Sequence, residues 1–218
     1  GSGVQSVQPG DHVILSYASC GHCDHCLQGL PAYCFNLREL NFGGKAYDGT
    51  HRLYLGEKEV SNFMGQGSFA TYAIAHERSV VKIDKDVDLA LMGPLGCGLS
   101  TGSGTVLNRL KPNHDSTIAV FGCGAVGLSA LMAAKIIGCE KIIAVDLHDN
   151  RLELAMELGA THVVNAREGN VPAEIKKITG RGVNYAVETS GVAQVVPQAL
   201  DSLAPLGTLA VVGISGEV

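Results

Sequence analysis

Residues 122–127 read GCGAVG, a G-x-G-x-x-G pattern placed between an apolar run, TIAVFG, and a run with helical spacing, LSALMAAKIIG. No other feature limits the possible folds as much. The pattern alone is weak. Here it follows a strand signal, opens a helix signal, and is answered by Asp146, which closes the next apolar run, KIIAVD, 19 residues after Gly127. That is the context a dinucleotide fingerprint requires. Gly122 permits the tight turn, Gly124 lets backbone approach a pyrophosphate, and Gly127 lets helix and strand pack closely. Ala125 and Val126 begin the helix whose free N–H groups face the phosphates. A carboxylate at Asp146 can accept bonds from the adenosine ribose hydroxyls, each contributing about 1.5–3 kcal/mol when desolvated, and it repels a 2′-phosphate. NAD is therefore expected over NADP, with Arg151 the one nearby residue that could serve a 2′-phosphate.

The alternation continues past the fingerprint. Leu128, Leu131, Met132 and Ile136 fall at helical intervals before Gly138; DNRLELAMELG opens with Asp149 as an expected cap and stops at Gly159. HVV, then PAEIKKITG with Pro172 near a helix start, NYAVETSG, AQVVPQALDSLA and GTLAVVGISG complete it. Strands this apolar are buried on both faces, so the expected class is α/β, a doubly wound parallel (Rossmann) sheet of five strands. The first part of the chain differs. DHVILSY and FATYAIA read as strands, and between them lies a long irregular excursion of the kind that is functional or metal-stapled.

Composition excludes several classes. The chain of 218 residues has a net charge of −5 and no Lys/Arg block, which argues against nucleic acid or an anionic membrane as partner. No apolar run is long enough to span a bilayer, and GSGVQSVQPGDHV is no signal peptide, so a cytoplasmic protein is expected. Seven cysteines in such a compartment are not a disulfide framework. Four of them, Cys20, Cys23, Cys26 and Cys34, form C-x2-C-x2-C-x7-C. That density suits tetrahedral zinc. The bacterial iron–sulfur run has a shorter last gap followed by Pro, whereas Phe35 follows here. Four thiolates fill the tetrahedron and leave no open position, so the site is structural. His22 and His25 lie inside the loop and could substitute as ligands, but are read as bystanders. Cys123 and Cys139 read as small buried hydrophobes. Cys97, in GPLGCGLSTGSG, precedes a helix start that would ready a thiolate for metal.

These features in this order resemble the zinc-dependent medium-chain alcohol dehydrogenases. PGDHVILSYASCGHCDHC, PLGCGLSTGSG and NRLELAMELGATHVVNA are most similar to the aryl- or benzyl-alcohol branch, with glutathione-dependent formaldehyde dehydrogenases next. The resemblance implies part of a GroES-like catalytic domain over residues 1–97, with a zinc lobe at about 18–36, and an NAD-binding domain over 98–218 without its last strand. It implies that Cys20, Cys23, Cys26 and Cys34 hold structural zinc and that Cys97 is one ligand of a separate catalytic zinc. Thr101 and Val126 match positions near the nicotinamide, Arg151 a contact to the adenosine ribose, and Thr189, Val212 and Ile214 the nicotinamide side. Phe63 and Met64 match a wall of the substrate pocket.

The family's other catalytic ligands, a Cys and a His-Glu pair, and its proton-relay hydroxyl lie upstream of anything matched here. His76-Glu77 falls after the cysteine lobe and does not replace them. The sequence is thus expected to be a fragment, inactive by itself. Its parent is expected to oxidise a primary, aromatic alcohol to the aldehyde with NAD as a homo-oligomer, dimer or tetramer. The alternatives are S-(hydroxymethyl)glutathione oxidation and, from another class, a non-catalytic dinucleotide-binding, zinc-stapled module.

Overall fold

The computed structural model describes residues 1–214 and divides into two compact units, Gly1–Gly96 and Cys97–Val218.

In the first unit β1 (His12–Leu15) leads into α1 (Asp24–Leu27) and α2 (Leu37–Phe42). A hairpin follows, β2 (Leu53–Leu55) and β3 (Lys58–Val60), closed by the two-residue loop Gly56-Glu57 with Gly56 at φ 63°. β4 (Val80–Ile83) then pairs antiparallel with β1, and α3 (Leu89–Met92) ends the unit. FATYAIA, expected as a strand, forms none: Phe69 and Tyr72 lie in a run of bends and Ile74 in irregular chain, all three exposed, while β1 pairs with β4. The pattern supplied the residue types of a strand but not a neighbour.

The second unit opens with α4 (Gly98–Gly104), which continues as one π-helical stretch, Thr105–Leu110, and ends at Lys111 in the left-handed region. Then come β5 (Thr117–Phe121), α5 (Ala125–Ile137), β6 (Lys141–Asp146), α6 (Asp149–Leu158), β7 (His162–Asn165), α7 (Val171–Thr179), β8 (Val183–Glu188), α8 (Val195–Asp201) and β9 (Leu203–Val211). The five strands are parallel, in the order β7-β6-β5-β8-β9. The doubly wound expectation is met. Alternation along β5 shows why: Ile118 and Val120 enter one core with Leu131 and Ala134, while Ala119 and Phe121 enter the other with Ile175 and Val183. A strand buried on both faces needs apolar residues at every position.

Three details depart from expectation. Ile136 is 79% exposed; α5 instead buries Ala130, Leu131, Ala133 and Ala134, small residues that let it lie close to the sheet. Asp149 is the first residue of α6, not its cap; His148 takes that place, and Asp149 Oδ1 accepts from Asn165 Nδ2 at 2.7 Å. β9 starts earlier than GTLAVV, at Leu203. Among the described residues no helix is long and apolar enough to cross a membrane.

Strand order reverses between β5 and β8. In open α/β sheets the crevice outside the carboxyl ends of such strands is where ligands bind.

Candidate functional site

The crevice is bounded by the two strand exits, Phe121–Gly122 and Glu188–Thr189. Gly122 sits at φ 95° and donates its N–H to Val145 O at 2.8 Å, which turns the chain sharply out of β5. α5 starts beyond Gly124 with no side-chain cap, so its first N–H groups are open to an anion. A Cβ on Gly124 would meet nothing within 4 Å, so this side of the turn is free for an incoming phosphate. The residues present fit a dinucleotide pyrophosphate.

Asp146 is buried and fully engaged by backbone. Its Oδ2 accepts from Cys123 N at 2.7 Å, and its Oδ1 from Leu147 N at 2.8 Å and His148 N at 3.0 Å. Arg151 Nη1 stands 3.7 Å from Oδ2. The carboxylate therefore braces the fingerprint turn as well as placing negative charge at the end of β6. Burial, reinforced by that charge, pushes the Cys123 thiol up to about 12, which keeps it protonated. Replacing Asp146 with glycine would leave three N–H donors beside Arg151, a set suited to a 2′-phosphate. Asp146→Gly is expected to raise the NADPH-to-NADH affinity ratio at least roughly tenfold, about 1.4 kcal/mol. Fluorescence titration with both nucleotides checks this, and an unchanged ratio would count against the carboxylate as selector.

Thr189 faces inward. Its hydroxyl lies 2.9 Å from both Phe121 O and Gly122 O, and its N–H bonds Phe121 O at 2.9 Å. It clasps the turn from the β8 side, a role the sequence did not suggest. Glu188 is fully buried, and its Oε1 accepts from Ser190 N, Ser190 Oγ and Gly191 N. Its carbonyl takes Val212 N at 2.8 Å and Gly213 N at 3.0 Å. Val212 and exposed Ile214 thus run beside the β8 exit. A lone glutamate closing an apolar strand was the available signal, since a buried carboxylate needs donors.

α4, with Cys97 and Thr101, lies against the start of α5, where a Cβ on Gly98 would stand 3.4 Å from Ala125 Cβ. Cys97 is its exposed N-cap, and Cys97 O accepts from Thr101 N at 2.8 Å. The helix crosses α5 at Gly102, where a Cβ would lie 1.9 Å from Val126 O. Ser129 Oγ also donates to Gly98 O at 3.3 Å. The Gly98–Gly102 spacing could have announced that close approach. Among the described residues no group of three metal-ligating side chains includes Cys97, so these residues do not build a second metal site around it.

In the first unit the four-cysteine loop is assembled. Its Sγ atoms all lie within 4.8 Å of one another, with Cys20 to Cys26 at 3.9 Å and Cys23 to Cys34 at 4.0 Å. A tetrahedral zinc with bonds of about 2.3 Å sets its sulfurs roughly 3.8 Å apart. The donors fit the metal. Loop N–H groups aim at sulfur: Cys20 N at Cys34 Sγ and Cys23 N at Cys20 Sγ, each 3.3 Å. The His22 amide, with other donors, pulls Cys20 down to about 6. Burial and the neighbouring thiols push Cys26 up to about 11. Four thiolates so close need a cation among them. His22 Nδ1 bonds Cys20 O at 3.0 Å and His25 Nδ1 bonds Tyr33 O at 2.6 Å, which turns both rings to backbone.

Phe63 is exposed and packs edge-on against Phe42 with ring centroids 5.7 Å apart. Met64 has φ 57° and donates its N–H to Asn41 O at 2.9 Å.

Residues 1–85 match the family described as alcohol dehydrogenase GroES-like domain, and residues 125–218 match zinc-binding dehydrogenase. The GroES-like expectation for the first unit is therefore met. The geraniol dehydrogenase of Castellaniella defragrans is 41% identical over 98% of this chain and 58% of its own length. A probable alcohol dehydrogenase of a Pseudomonas species is 43% identical over 98% of this chain and 69% of its own. The crystal structure of benzyl alcohol dehydrogenase from Acinetobacter calcoaceticus shares 48% identity at a TM-score of 0.91, over 99% of this chain and 59% of that one. The chain thus spans between about half and two-thirds of the length of the relatives it matches. Zinc and NAD are the cofactors of the family, and the chain belongs to it: the zinc-dependent medium-chain alcohol dehydrogenases.

Proposed function

We propose that the protein to which this chain belongs oxidises a primary alcohol whose carbinol carbon is attached to an unsaturated carbon, benzylic before aliphatic, with NAD as hydride acceptor. The observation that carries this is the uncapped α5 start and braced turn at the β5/β8 crevice, with Asp146 as the carboxylate that selects NAD. Similarity to proteins named for benzyl alcohol and geraniol, at 48% and 41% identity, supports the substrate class. A relative named S-(hydroxymethyl)glutathione dehydrogenase is further off at 34%.

In this reading Gly122, Gly124 and Gly127, with the N–H groups of Ala125 and Val126, hold the pyrophosphate. Asp146 and Arg151 hold the adenosine ribose. Thr101, Val126, Thr189, Val212 and Ile214 border the nicotinamide, and Phe63 and Met64 the substrate. When bound, NAD supplies a two-electron acceptor for the hydride. Zinc in the four-cysteine loop supplies no open position and acts on the fold alone. Cys97 is assigned to the catalytic metal by family pattern. The seven free cysteines support a reducing, cytoplasmic setting. Self-association as dimer or tetramer is proposed with it, β9 being the last strand of the described sheet.

The test is NADH formation by a protein of the relatives' full length that carries this chain. Benzyl alcohol should turn over faster than ethanol, and Cys97→Ala should abolish turnover. The 218 residues alone should form no measurable NADH. Faster turnover of ethanol, or activity surviving Cys97→Ala, would overturn the assignment.

A further inference from the structure

Arg78 comes 58 residues after Cys20, in the 3-10 turn Glu77–Ser79 that leads into β4, and reaches back to the entry of the four-cysteine loop. Its Nη2 donates to Cys20 O at 2.9 Å, to Tyr47 Oη at 2.7 Å and, at longer range, to Ser19 O at 3.3 Å. Tyr47 Oη donates to Ser19 O in turn. The guanidinium lies over the Tyr47 ring, 5.6 Å from its centroid. His76 orients the arginine's backbone, its Nδ1 accepting from Arg78 N at 3.2 Å.

The loop is shaped to receive this side chain. Gly21, the residue after the first cysteine, has φ 79°, and a Cβ there would lie 2.7 Å from Arg78 Cζ. Glycine at this point thus serves two ends at once: a left-handed turn between Cys20 and Cys23, and flat contact with the guanidinium. Ser19 and Cys20 are themselves buried, so their carbonyls need donors. Arg78 and Tyr47 supply them from outside the loop.

We propose that Arg78, braced by Tyr47, is the positioning residue of the four-cysteine metal site: it fixes the Ser19–Gly21 backbone so that Cys20 and Cys23 stay in ligating geometry and the metal is retained. This rests on the reading of that loop as a zinc site. Partners outside the ligand set hold ligands in place, and their loss typically costs about 10–100-fold in metal affinity. No ligand is removed by changing Arg78, so the effect is on retention and not on stoichiometry at saturating zinc.

The experiment measures zinc release from the chain to excess 4-(2-pyridylazo)resorcinol at fixed temperature, followed by its absorbance, with zinc content taken beforehand. Arg78→Met is expected to hold about one zinc per chain when loaded and to release it at least roughly tenfold faster. Arg78→Lys, which keeps a charged donor nitrogen but not the planar fork, should fall between, and Tyr47→Phe should show a smaller acceleration. Lys82→Ala removes the 3.0 Å ion pair between β4 and Asp11, the residue before β1, and should leave release unchanged, which separates positioning from general loosening. Arg78→Met releasing zinc at the unmodified rate, or no faster than Lys82→Ala, overturns the proposal while the zinc site stands. An unmodified chain that holds no zinc overturns the zinc reading and this proposal together.

Discussion

Gly127→Ala is expected to abolish dinucleotide binding and to destabilise the second unit by about 3 kcal/mol or more, the upper end for forcing a methyl into packed surroundings. A Cβ at Gly127 would lie 1.8 Å from Gly122 O and 3.0 Å from Thr189 Oγ1. The first of these is backbone, and its strand exit is held by Val145 and Thr189. It cannot rotate away as a side-chain tip would. Either α5 leaves the sheet or the turn opens, and both routes dismantle the crevice. Calorimetry should show a fall of about 10 °C or more in the unfolding of this unit. Gly124→Ala is the informative control. Its Cβ meets nothing, so the fold should hold while NADH affinity falls. A Gly127→Ala protein that melts normally and binds NADH would remove the close helix–strand approach from the account of the site.

Removing the metal should have the other large effect. Cys34→Ser, or exhaustive chelation, is expected to free the single zinc and open the loop at about residues 18–36, while the unfolding of the second unit stays unchanged. Zinc contributes about 10–16 kcal/mol apparent free energy in peptides built on such loops. The loop's backbone bonds, such as Leu27 N to Cys23 O and Cys34 N to Pro31 O, are local turns, whereas Cys20 N reaches across to Cys34 through sulfur. Elemental analysis together with limited proteolysis reads both halves of the prediction. Iron with sulfide in the purified chain, or an unaltered cleavage pattern after chelation, would defeat the zinc reading.

The second unit was largely legible in the sequence because its order is local. Ile118 to Phe121 are apolar at every step, so the strand had to be buried on both faces. Gly138 and Gly159 end their helices at positive φ, as glycine there announces. The cysteine spacing likewise reports a loop that one ion can close. FATYAIA misled because strand propensity names no partner. The sequence presents Asp146 as a ribose ligand; its second role, bracing three backbone donors, depends on a turn whose path no residue pattern records. Arg78 was invisible for the same reason at longer range: the carbonyls it serves are set by the loop's fold. Ile136 shows a third kind of failure, where a helical stripe was counted from the largest side chains while the alanines made the contact.

The turn at Gly122 is tied on every side before any nucleotide arrives. Val145 holds its amide, Thr189 its carbonyl, and Asp146 the amide of Cys123. A loop already in its bound shape loses little freedom when ligand enters, so little of the contact energy is spent on ordering it. Recognition then resembles a lock more than a closing hand, and differences among nucleotides should appear mainly as differences in residence time. By the same logic, a change behind the turn, at the buried side chain of Cys123, can weaken binding by restoring motion, without removing a single atom that the nucleotide touches.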